Sequence, residues 1–250
     1  MNTTLLKIVT LLVVPVAIFG GDFFATTELS VGEISDRYFG DVLIIPAGYA
    51  FSIWGLIYLG VLALAVVQAL PQQGGSRHLA AARLPLIANM GCNFAWIVAW
   101  QSLQFEVATV ILLAQLATGI WLYCALGIPD EPAESRLMRW VRWPISVYVG
   151  WLTLATVLGI SSLLAYWEWG AWGLSNATWA AIMAVVSAAV GLFVTLQWRD
   201  PVYAAVFVWA FVAVALRPDQ AGGVAVTASV LAVVFVVVIV GWVFLRDRWS

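Results

Sequence analysis

Apolar residues in this chain come in long uncharged runs, and polar residues gather in the breaks between them. A helix rises about 1.5 Å per residue and a bilayer's hydrocarbon core is about 30 Å thick, so about 20 such residues make one crossing. Eight runs approach that length: 5–20 (lengthened by Phe23, Phe24 and Ala25), 46–68, 84–101, 107–127, 144–166, 173–197, 202–216 and 224–245. Pro46, Pro85 and Pro144 are expected in the first turns of the second, third and fifth, where a missing N–H costs nothing. Asp200, just before Pro201, is expected to N-cap the seventh. Lys7 ahead of an apolar stretch also fits a signal peptide, but no small-x-small cleavage site follows, so the first run reads as an uncleaved span. The longest connection, 26–45, carries Glu28, Glu33, Asp36 and Asp41 against Arg37 alone. A loop of that length is either disordered or a functional lid.

Composition agrees with the pattern. Of 250 residues, 64% are hydrophobic and 10% charged, with mean hydropathy +0.99. No soluble domain hides so much apolar surface, and the expectation is an all-α integral membrane protein, a bundle of eight transmembrane helices. The net charge of −2 gives no reason to expect nucleic acid. With an even number of spans, Lys7, Arg77, Arg83, Arg136, Arg139, Arg142, Arg199, Arg246 and Arg248 share one side, against Arg37 and Arg217 on the other. That bias predicts both termini on the cytoplasmic side, in a bacterial inner membrane, with 26–45 outside. Cys92 and Cys124 lie in apolar runs and read as buried, unreactive thiols.

Absent residues exclude several functions. No acidic or basic residue falls in the middle of a run, which argues against proton pumps, ion-coupled transporters and voltage sensors. The only lysine is Lys7, so a retinal Schiff base has no partner deep in the bundle. The only histidine, His78, reads as a solvated loop residue, so no histidine-ligated haem is available within the membrane. No metal cluster, phosphate loop or nucleophile–base pair is visible, and no cofactor is required.

Tryptophan is the unusual residue, at 15 copies. Trp140, Trp143, Trp167, Trp169, Trp172, Trp198 and Trp249 flank run ends, where an indole N–H reaches water while its ring stays in lipid. Trp121 and Trp209 lie within runs and read as lipid contacts or packing. Four others belong to stripes. Phe51, Trp54 and Tyr58 share one face of the second helix, with Tyr49 just ahead. Asn89, Asn93, Trp96 and Trp100 form a stripe on the third, and Tyr148, Trp151, Ala155 and Ser162 one on the fifth. Two amides in a bilayer cost several kcal/mol unless partnered, so the third-helix stripe must face protein or ligand. The stripes either pack together as a polar-aromatic core or line a cavity for a large, flat, mostly apolar ligand. The sixth run, with Gly173, Ala177, Ala180, Ala184, Ala188 and Gly191, suits close helix approach within the monomer or in a homodimer.

These residues resemble the tryptophan-rich sensory protein / translocator protein family (TspO/MBR) over roughly residues 5–166. The second-helix pattern, a proline and an aromatic followed by W-x-x-L/I-Y, is met by Pro46, Trp54, Ile57 and Tyr58. The third-helix N-x-x-W is met by Asn93 and Trp96, and the fifth-helix W-x-x-x-A by Trp151 and Ala155, with Leu158 beyond. Gly159 stands where the family has asparagine, and Ala99-Trp100 where it has a double phenylalanine. The resemblance implies a five-helix core over 1–170, a three-helix extension over 171–250 absent from the short form, and a porphyrin or related tetrapyrrole as ligand. It places Trp54 and Trp151 against the ring. Trp54, Tyr58, Trp96 and Trp151 would stack, Asn93 would donate a hydrogen bond, and Tyr49, Phe51, Trp100, Tyr148 and Ala155 would complete the site under the 26–45 lid. A membrane enzyme degrading such a ligand and a structural subunit without one are the alternatives.

Overall fold

The computed structural model describes residues 3–130 and 135–246, and among them every regular element is helical. In chain order they are α1 (Thr3–Phe19), α2 (Val31–Tyr38), α3 (Ile53–Val67), α4 (Arg77–Gln101), α5 (Phe105–Ala125), α6 (Arg136–Tyr166), α7 (Asn176–Trp198), α8 (Pro201–Ala215) and α9 (Gly222–Arg246). Eight of these answer the eight apolar runs, while α2 lies inside the acidic connection. Among the described residues, five stretches are long and apolar enough to cross a membrane: Gly48–Val67, α5, α6, α7 and Gly222–Trp242. Helices α1 and α8 are apolar but shorter. Arg248 and Trp249, expected as an inner charge and an interfacial ring, lie outside the described residues.

Serine caps override the expected proline starts. Ser76 and Ser135 accept N–H bonds from Leu79 and Met138 at 3.4 and 3.1 Å, so α4 and α6 begin well before Pro85 and Pro144. A capping oxygen satisfies a donor that would otherwise be orphaned, and proline only has to be tolerated later. Pro46 opens no α-helix either: a single 3₁₀ turn, Gly48–Ser52, leads into α3. At 31 residues α6 is about 46 Å long, more than one bilayer core. Gly173 is left out of α7, in a turn at φ +79, and Ser175 caps the helix instead. Asp200 caps α8 as expected, accepting from Val202 and Tyr203 N–H at 2.9 and 3.0 Å.

The longer α4 changes the reading of two basic residues. His78 is not a solvated loop residue: it sits on α4, 7% exposed, with Nδ1 3.3 Å from the Ala125 carbonyl. Arg83 is also buried, its Nε donating to Gln68 Oε1 at 2.8 Å. Cys124, expected inside, is exposed on the helix surface.

Helix α6 is central, packing against α3, α5, α7 and α8, while α1 and α5 flank α4 and α9 covers α7 and α8. Two glycines set the closest approaches. A Cβ on Gly60 would fall 2.0 Å from Pro144 Cβ, and one on Gly191 would fall 2.4 Å from the Phe207 ring, so α3 meets α6 and α7 meets α8 only where no side chain intervenes. The small-residue face of α7 (Ala180, Ala184, Ala188, Gly191) is thus used within this chain.

The acidic connection is ordered. A reciprocal capping box starts α2: Glu33 N donates to Ser30 Oγ at 3.3 Å, and Ser30 N to Glu33 Oε2 at 2.8 Å. Its apolar side chains, Ile34, Phe39, Ile44 and Ile45, are buried against the bundle. The end of α4 holds one flank, through Thr27 Oγ1 to the Gln101 carbonyl (2.9 Å) and Trp100 Nε1 to the Val31 carbonyl (3.4 Å). The turn between α8 and α9 holds the other. There Arg217 donates to the carbonyls of Gly40 and Val42, and Gln220 Nε2 to that of Leu43.

Candidate ligand-binding site

Trp54 of α3 and Trp96 of α4 stack at 6.1 Å between ring centroids with planes 25° apart, and Trp96 stacks on Trp100 at 5.8 Å and 19°. These are offset arrangements of the kind π-quadrupoles favour. Tyr58 extends the row beyond Trp54 (5.3 Å), and Phe39 and Phe105 close it beyond Trp100 (5.6 and 5.2 Å). The row thus runs from the flank of α3 to the underside of the α2 segment.

Cavities lie on either side of the Trp54–Trp96 pair. On one side is an apolar slot between α3, α4, α5 and α6, walled by Phe51, Trp100, Trp151, Ala155, Leu158 and Gly159 and closed by Val31, Ser35 and Ile45. It is narrow, with about 50 Å³ in which the centre of a water molecule can move. On the other side is a wider, more polar cleft between α1, α3, α4 and residues 25–31, with a volume of about 700 Å³. Trp54, Trp96 and Val31 line both.

The expected site residues therefore separate. Trp54 and Trp96 form the partition, Tyr58 faces the cleft alone, and Phe51, Trp100, Trp151 and Ala155 face the slot alone. Trp151 is 1% exposed and meets Phe51 edge-on at 5.8 Å. Asn93, Tyr148 and Tyr49 line neither cavity. Tyr49 is exposed and packs edge-on against Trp209, whose Nε1 donates to the Ala50 carbonyl at 3.1 Å.

Asn93 and Tyr148 belong to a buried network whose hub the sequence reading missed. Gln115 of α5, fully buried, donates through Nε2 to Asn93 Oδ1 (3.1 Å) and Tyr148 Oη (2.8 Å). Asn93 Nδ2 donates to the Ala17 carbonyl of α1 at 3.2 Å, and Asn89 Nδ2 to the Gln115 carbonyl at 2.7 Å. The amide expected to serve a ligand thus ties α1, α4, α5 and α6 together. A glutamine alone inside the apolar run 107–127 was the available signal, since a lone amide in hydrocarbon must find partners.

Among the described residues no cluster of metal-ligating side chains occurs. The arrangement can stack a planar ring, exclude water from its apolar body and meet a polar rim at the cleft mouth.

The family model described as TSPO-like protein matches residues 4–241. The chain belongs to the TSPO-like protein family. Neither curated proteins nor solved structures gave a match. The TSPO-like match continues through α7, α8 and most of α9, well beyond the 5–166 stretch that carries the aromatic motifs, so the last three helices share the family's sequence pattern.

Proposed function

We propose that this TSPO-like integral membrane protein crosses the bilayer eight times, with both termini cytoplasmic, and acts as a sensor or translocator for a flat, mostly apolar ring, tetrapyrrole-like in shape. Residues 1–170 form the ligand-binding core and 171–250 a three-helix extension that helps hold the α2 segment as a lid. The ring's seat is the cleft. Its faces stack on Trp54, Tyr58 and Trp96, while Trp151 and Phe51 back the partition from the slot side. The carrying observation is the Trp54–Trp96 stack beside a volume of about 700 Å³, within the range of about 300–1,000 Å³ typical of small-molecule sites. The slot, with about 50 Å³, suits only water or a small group.

Titration of the purified protein with a porphyrin, followed by tryptophan fluorescence, tests this reading. Saturable quenching is expected, weakened about five- to 150-fold in Trp54→Ala, because ring stacking is worth about 1–3 kcal/mol per ring. Trp151→Ala, one layer removed, is expected to lose less. Undiminished binding in Trp54→Ala would refute the cleft as the seat. A change in the ligand's own absorption spectrum over time would point to an enzyme instead.

A further inference from the structure

The cleft is chemically lopsided. Its charged residues, Asp22 and Glu28, are both carboxylates, both exposed at the mouth, and neither has a cationic partner among the described residues. Among the described residues no Lys or Arg lines it. Deeper in, Gln101 is 7% exposed; its Nε2 donates to the Leu29 carbonyl at 3.3 Å, which leaves Oε1 a buried acceptor with no donor. The hydroxyls of Thr26 and Ser30 can serve either way. Carboxylates at the mouth and an unmatched carbonyl within attract N–H donors and positive charge, and they repel anions. The aromatic walls favour a cation as well, since the faces of Trp54 and Tyr58 are the negative poles of their ring quadrupoles.

Resting on the reading of the cleft as the ligand seat, we propose that it selects ligands by the charge of their rim. It takes a flat or apolar body bearing a protonated amine or other N–H donor, or no charge at all, and discriminates against rings that carry free carboxylates. The physiological ligand is then a cationic or neutral amphiphile, and a free tetrapyrrole dicarboxylate is a poor one.

Three porphyrins with the same ring and different rims decide it: a dicarboxylate, its dimethyl ester and a quaternary-ammonium analogue. Each is titrated against the full chain in nanodiscs of zwitterionic lipid, which carry no charge bias of their own, with tryptophan quenching as the readout. The cationic ring is expected to bind about tenfold more tightly than the dicarboxylate, the sum of two mostly solvated charge contacts. In Asp22→Asn/Glu28→Gln that gap should close to less than about threefold while the ester's affinity stays put, which also shows the variant is folded. Equal affinities for all three rings, preference for the dicarboxylate, or a gap that persists in the double variant would overturn the proposal while leaving the cleft a ring-binding site. If no ring gives saturable quenching, the ligand seat itself is wrong and the charge selection falls with it.

Discussion

Gln115 shows how two asparagines are kept inside a bilayer. One side-chain amide of Gln115 serves both Asn93 and Tyr148, and its backbone carbonyl serves Asn89. Gln115→Leu should therefore strand an acceptor and a hydroxyl at once, at a cost of about 1–3 kcal/mol. The expected result is a lower melting temperature in detergent with porphyrin affinity of the folded fraction nearly unchanged; a large affinity loss would mean the network contributes to the seat directly. The stripes on α4 and α6 were legible in the sequence, but their division of labour was not. Residues three apart on a helix point about 60° from one another, enough for Trp96 to face the cavities while Asn93 turns to α1 and α5. Tyr49, expected to help complete the site, lies instead in the 3₁₀ turn over Gly48–Ser52 and packs edge-on against Trp209 of α8.

Among the elements, α2 starts on a carboxylate cap that acid weakens. The Ser30 hydrogen bonds, side chain first and then backbone, hold the Glu33 carboxyl below its ordinary value of 4.5. A lowered pKa means that the folded cap prefers the charged form. Its contribution is full above 4.5 and is lost as pH falls through the depressed value. Amide protection across 31–38, taken relative to intrinsic exchange at each pH, should fall on acidification through that window and hold between neutral pH and 5; unchanged protection throughout would mean that the cap does not hold α2. At the other end of the chain, Gly191→Leu must push aside Phe207 and is expected to destabilise the α7–α8 contact by about 1–3 kcal/mol, measured by thermal unfolding. The existence of the eight apolar helices was readable from run length, and Asp200 announced the start of α8. The starts of α4, α6 and α7 were not readable, because a serine cap is a single local bond that run length does not register.

At the scale of the whole molecule, the segment over the aromatic row is held from both halves of the chain. Arg217 and Gln220 grip carbonyls at 40–43, more than 170 residues away in sequence, and Ala47 N donates to the Ala213 carbonyl at 3.0 Å. Nothing local in either stretch announces that pairing, so the sequence could suggest a lid but not its fastening, nor a purpose for the last three helices. Arg217→Ala/Gln220→Ala should leave residues 27–31 attached while exposing 40–45 to proteolysis several-fold faster; unchanged cleavage would show that the buried Ile44 and Ile45 suffice alone. The gripped carbonyls of Gly40, Val42 and Leu43 do not border the cleft. A clasp that closes equally well over an empty or an occupied seat speeds or slows arrival and departure by the same factor. Dwell time and equilibrium occupancy would then be governed by separate parts of the polypeptide, and the tail of the chain could drift in evolution to retune the first without disturbing the second.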